Sequence, residues 1–116
     1  MPRLPPRAKP KKAIGATQDK ASKFHASREW GAIRESYRQI QPICERCKYL
    51  KKVTQESTRN LSVHHIIMVA RCWELRKQES NFLTLCNKCH SYFSTLERNG
   101  QVNKAETEGQ EIKNGR

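Results

Sequence analysis

Long hydrophobic runs are missing from this 116-residue sequence. No apolar stretch approaches the length of a membrane span, and the N-terminus lacks the hydrophobic segment of a secretory signal. A soluble, intracellular protein is expected. Aromatic residues are scarce at 7%, and hydrophobic residues of all kinds reach only 35%. A single small domain with so little to bury often needs a staple such as a metal ion. Acidic residues are few as well, 11 against 23 lysines and arginines, for a net charge of +12. That excess suits a polyanionic partner. The lack of a long amphipathic basic helix with bulky apolar residues argues against a membrane surface as that partner.

Cysteine, by contrast, is plentiful. Four of the five cysteines form two pairs, Cys44-x-x-Cys47 and Cys86-x-x-Cys89, separated by 38 residues. In a reducing cytosol such pairs bind metal more often than they form disulfides. Two residues between cysteines let both sulfurs of one knuckle reach one ion, and two knuckles close a tetrahedral zinc site. A redox-active Cys-x-x-Cys would leave the second pair unexplained. A four-cysteine site is closed to substrate, so this zinc is expected to stabilise the fold and not to activate water. Cys72 is left over and reads as a small buried hydrophobe.

Residues 1–20 hold four of the five prolines, six basic residues and one acid. They read as a disordered basic arm. Trp30, Ile33, Tyr37 and Ile40 then fall at helical spacing, with Ser27 placed to cap the helix, Glu29 in its first turn and Pro42 to stop it. Arg28, Arg34 and Arg38 lie off the apolar stripe, available to phosphates or to solvent. Residues 61–67 are β-branched and apolar and read as a strand. Residues 68–80 fit a packed loop, a short strand or a helical turn. Residues 82–85 lead into the second knuckle. A helix is expected from Asn87 to about Leu96, with Phe93 and Leu96 facing inward, and Asn99 and Gly100 end it. Residues 99–116 are polar and read as a disordered tail.

Three of the four histidines, His64, His65 and His90, flank the knuckles. Adjacent residues on a helix point about 100° apart, so if Cys89 faces the zinc, His90 faces elsewhere and can serve a neighbouring site. His64 and His65 point to opposite faces of a regular strand. Both can enter one site only if the strand is twisted, bulged or ends there.

Cys44 and Cys47, residues 63–67 and residues 81–90, with the leader from Phe24 to Pro42, together resemble the HNH endonucleases and their ββα-metal motif. The resemblance covers about residues 24–97, and the combination is more specific than its parts. It implies a small α+β domain, treble-clef-like, over residues 21–98, with an N-terminal helix and a zinc staple. It implies a metal-dependent endonuclease acting on DNA phosphodiesters. By position, His65 takes the general-base role, and His64 and His90 hold a catalytic divalent ion. Asn81 is the middle residue that orients the base, through its side chain or its backbone, and steadies the loop. Magnesium, manganese, nickel and zinc are all compatible with imidazole ligands. Met68 replaces a usual proline, Lys48 a frequent glycine, and residues 91–93 a polar or basic stretch; none is one of these site residues. Members of this kind often work beside a phage packaging terminase, in the cytoplasm of a bacterial host, and the same motif serves homing, restriction and toxin roles. The alternative reading is a zinc-bound nucleic-acid-binding module without catalysis.

Overall fold

The computed structural model describes residues 18–115. The predicted arm lies outside the described residues up to position 17, and its last three residues already belong to a helix, α1 (Gln18–His25). The second helix, α2 (Arg28–Ile40), starts as its sequence requires. Ser27 accepts a hydrogen bond from the Trp30 backbone N–H, satisfying one of the free donors of the first turn. Trp30 and Tyr37 are its buried residues, and Ile33 is partly buried. Ile40, the last member of the expected stripe, is 60% exposed, because the helix ends there before Pro42. Arg38 is not free for phosphate: it donates to the Leu61 carbonyl and pairs with Glu35.

The first knuckle sits on a single helical turn, α3 (Glu45–Tyr49), with Cys44 at its start. Two short strands follow, β1 (Ser62–His65) and β2 (Phe82–Leu85), paired antiparallel. Between them, the ambiguous stretch 68–80 resolves into turns, with 3₁₀ turns at Trp73–Leu75 and Glu79–Asn81. Next comes α4 (Asn87–Arg98), which carries Cys89 and His90 and buries Phe93 and Leu96, as expected. Gly100, with φ +82°, turns the chain after it.

The tail expected to be disordered is instead a helix, α5 (Val102–Asn114). Its inward face is Ala105, Glu106, Gly109 and Ile112, three of which carry little or no apolar side chain. A hydrophobicity pattern does not register such a face, yet it packs closely. A Cβ placed on Gly109 would stand 2.8 Å from Ile66 Cγ2, so glycine lets the helix approach Ile66, just after β1, this nearly. At the far end, Lys113 donates to the Tyr37 hydroxyl at 2.5 Å and to the Phe82 carbonyl at 2.8 Å. Tyr37 donates in turn to the buried Glu45 carboxylate, which also accepts from the Thr84 backbone N–H. This chain of bonds joins α5, α2, α3 and β2. The folded unit therefore extends beyond residues 21–98 at both ends.

The hairpin separates two apolar clusters. Leu83 and Leu85 pack with Ile66, Ile67, Phe93, Leu96 and Ile112, whereas Phe82 packs with Phe24, Trp30, Tyr37 and Val69. Successive strand residues face opposite sides, so the alternation of β2 assigns them to different clusters. Cys72 is partly buried against the first cluster, and the burial pushes its thiol up.

Candidate metal centres and active site

Four sulfurs meet where the two knuckles converge. One ligand atom from each of Cys44, Cys47, Cys86 and Cys89 lies within 4.8 Å of every other. Cys47 Sγ stands 4.0 Å from Cys86 Sγ and 3.9 Å from Cys89 Sγ. A tetrahedron with zinc–sulfur bonds of about 2.3 Å has edges of about 3.8 Å, so the spacing fits one tetrahedral ion. The Cys89 hydrogen bond pulls the Cys44 thiol down despite its burial. That bond, with burial, pushes Cys89 up, while the Arg46 guanidinium at 3.6 Å counters it. A bound dication would replace this mutual repulsion by attraction to all four thiolates. These residues form a site able to hold a metal ion.

The hairpin register decides where the two adjacent histidines go. His64 lies opposite Leu83, and His65 opposite Phe82. Residues directly opposite share a face, so His64 faces the α4 side and His65 the side of α1 and α2. His64 stacks on Phe93, with centroids 5.1 Å apart, and stands 6.1 Å from the His90 ring. His65 packs against Trp30 at 4.6 Å, Phe82 at 5.3 Å and His25 at 5.5 Å. The strand ends at His65. One cleft of about 360 Å³ at that end is lined by His25, His64, His65, His90 and Glu97, among others. The predicted trio is therefore brought to one cleft without being turned to one face.

His65 is held by a carbonyl. Its Nε2 lies 2.9 Å from the Arg76 backbone oxygen. A carbonyl only accepts, so Nε2 carries the proton and Nδ1 keeps its lone pair. Burial lowers the His65 pKa to about 4, against the raising effect of the Arg76 bond, with His25 adding a small further decrease. The ring is accordingly neutral near pH 7. Burial also draws His64 down to about 3, with the neighbouring His90 and His65 contributing. Its Nε2 is buried without a hydrogen-bond partner, and the residue is 7% exposed.

Asn81 does not touch the His65 ring. Its Oδ1 accepts from the Ile67 N–H at 2.9 Å and its Nδ2 donates to the Ile67 carbonyl at 3.0 Å. Its own carbonyl accepts from the Ile66 N–H at 2.8 Å. Asn81 therefore pins the backbone just after the histidine pair, and the expected bond to the imidazole is made by Arg76 instead.

Two cleft residues escaped the sequence reading. His25 comes from α1, and Glu97 from α4 two turns after His90. Burial, and then the nearby Glu106, pushes the Glu97 carboxyl up to about 7. Glu106 itself pairs with Arg71 at 3.1 Å. A lone histidine and a lone glutamate on helices carry no motif, and only the fold brings them to the cleft.

A hairpin and helix clamped by two cysteine knuckles, with strand and helix histidines at a shared cleft, define the class: a ββα-metal nuclease fold. Residues 40–92 match the family model described as HNH endonuclease. Over those residues the chain is similar to the HNH endonucleases, and the match supports a nuclease, a hydrolase of phosphodiester bonds. Among solved structures, it resembles the HNH endonuclease of the deep-sea thermophilic bacteriophage GVE2, determined with a manganese ion. The TM-score is 0.62 at 24% identity, over 80% of this chain and 97% of that one, and the likeness shows a shared fold. No curated protein matches the chain. Among the described residues, no helix is long and apolar enough to cross a membrane.

Proposed function

We propose that this chain is a divalent-metal-dependent endonuclease that hydrolyses DNA phosphodiester bonds. In this reading His65 is the general base and His64 and His90 hold the catalytic cation. Zinc on Cys44, Cys47, Cys86 and Cys89 is the structural metal. The observation that carries it is the fixed His65 tautomer: Nε2 donates to the Arg76 carbonyl, which leaves Nδ1 to accept a proton at the cleft that His64 and His90 also line.

Hydrolysis requires a deprotonated water, a stabilised phosphorane-like transition state and a proton or a charge for the departing 3′-oxygen. His65 Nδ1 takes the proton of the attacking water, whose oxygen forms the new bond to phosphorus as the bond to the 3′-oxygen breaks. A bound divalent cation supplies Lewis-acid charge to the phosphate and to the leaving oxygen. The unpaired, buried His64 Nε2 suits such a ligand role, because a neutral imidazole nitrogen without a partner is a ready metal donor. Asn81 acts as the positioning residue through the Ile67 backbone. The net charge of +12 grips flanking phosphates, so binding weakens as salt rises. Magnesium, manganese, nickel and zinc remain the cations to compare. A bacterial cytoplasm is the setting that accompanies this reading, with a phage packaging terminase as the protein partner to assay.

The test is nicking of supercoiled plasmid with manganese or magnesium, comparing wild type with His65→Ala. Loss of the base is expected to reduce cleavage by about 10²–10⁴-fold with the fold intact. Equal cleavage by the two proteins overturns the role of His65. DNA binding without cleavage under any of the four metals would favour the non-catalytic binding module.

A further inference from the structure

Glu97 occupies a position that the two-histidine reading leaves unused. It follows His90 by seven residues on α4, so both side chains share one face of the helix. Both line the cleft together with His64. Glu97 Oε2 stands 3.8 Å from His64 Nε2, too far for a hydrogen bond. Two donors on one cation, each at about 2.1 Å, can be separated by up to about 4.2 Å. The distance therefore suits an ion between them better than direct contact. The His64 nitrogen points the same way, since it is buried, 7% exposed as a residue, and has no hydrogen-bond partner. The Glu97 side chain is only 18% exposed.

We propose that Glu97 is a third protein donor to the divalent cation of His64 and His90, so that the cleft offers two imidazoles and one carboxylate. This rests on the nuclease reading of the cleft and adds to it a preference among metals. Carboxylate oxygen suits manganese and magnesium, whereas imidazole nitrogen alone suits zinc and nickel. Glu97 thus biases the site towards the oxygen-preferring ions.

The experiment measures metal binding and not turnover. The full chain, with zinc retained in the cysteine site, is titrated with Mn²⁺ by electron paramagnetic resonance of the free ion and with Ni²⁺ by calorimetry. Glu97→Gln is expected to weaken Mn²⁺ binding by about 10–100-fold, the loss seen even for residues that only support metal ligands, and Ni²⁺ binding by less. His90→Ala is expected to weaken both. If Glu97→Gln binds Mn²⁺ as wild type does while His90→Ala does not, Glu97 is no donor and the cleft reading stands. If His90→Ala also binds both ions normally, the cleft reading itself fails. Equal weakening of Mn²⁺ and Ni²⁺ by Glu97→Gln overturns the proposed preference. Should Glu97→Gln not fold, Glu97→Asp keeps the carboxylate and shortens its reach by one methylene, and unchanged affinity for both ions then counts against direct coordination.

Discussion

Replacing Asn81 with alanine tests whether the residue works on the loop or on the ring. Asn81 is fully buried, and its side chain makes both of its observed hydrogen bonds to the backbone of Ile67, itself 2% exposed. Alanine leaves one N–H and one carbonyl without partners where water does not reach. Each buried orphan costs about 1–3 kcal/mol, so the loss is about 2–6 kcal/mol. Against a total stability of about 5–15 kcal/mol this is severe. At about 4–8 °C per kcal/mol for a domain of this size, a loss of 3 kcal/mol lowers the melting temperature by roughly 12–24 °C. Urea unfolding of the zinc-loaded protein measures the free energy directly. Below the melting range, the folded fraction should still bind the cation yet nick plasmid poorly, because a displacement of about 1 Å can cost about 10²-fold. Asn81→Asp refines the test. The carboxylate still accepts from the Ile67 N–H but cannot donate to the Ile67 carbonyl, so it should destabilise at neutral pH. A buried aspartate has its pKa raised, and protonation restores a donor, so its deficit relative to wild type should narrow on acidification. Near-wild-type stability of Asn81→Ala combined with abolished cleavage would refute the argument and place Asn81 in direct contact with the chemistry.

Two helical glycines should respond in opposite directions to alanine. Gly31 on α2 has nothing within 4 Å of an added Cβ, so Gly31→Ala should stabilise by about 0.5–1 kcal/mol. Gly109→Ala drives a Cβ into Ile66, and overpacking of about 1–3 kcal/mol should outweigh the helical gain, as thermal melts would show. Chelation of the cysteine-bound metal, or Cys44→Ser, should unfold the domain or strip about one equivalent of metal by elemental analysis; a stable, metal-free fold would exclude the structural role. Acid should destabilise the protein with no divalent ion added in excess. The folded pKa values of His64 and His65, about 3 and about 4, lie below the unfolded value of 6.5, so the unfolded chain takes up the protons first. The contribution of each histidine is complete above pH 6.5 and is lost as pH falls towards the folded value, about 2 kcal/mol apiece by pH 5. Urea unfolding at pH 7.5 and pH 5 should show the drop, and His65→Gln should show a smaller one.

The parts of the molecule that announce themselves in sequence are those with strong local chemistry. Ser27 caps α2, Pro42 follows its end, and the knuckle spacing marks the metal cluster before any fold is known. The adjacency of Cys89 and His90 likewise places the cysteine cluster and the cleft on different sides of one helix. What stayed hidden depends on partners distant in sequence. The inward face of α5 has glycine and a buried glutamate where a hydrophobic stripe would be sought, and its fit becomes visible only against Ile66 and Arg71. Glu97 and His25 matter because helices deliver them to the end of β1. The holder of the His65 ring was sought at Asn81, through its side chain or its backbone, yet it is the Arg76 carbonyl, a group that every residue possesses and no residue type signals.

That choice of holder has a consequence for how the protein tolerates genetic change. Any single-nucleotide missense change at position 76 alters the side chain and keeps the carbonyl that grips His65. Arg76 stacks on Trp73 at 3.9 Å, so its replacement loosens packing while leaving the tautomer lock in place. A lineage could therefore vary this half-buried arginine without first disturbing the orientation of the ring. The orientation of the ring is inherited with the loop's backbone path.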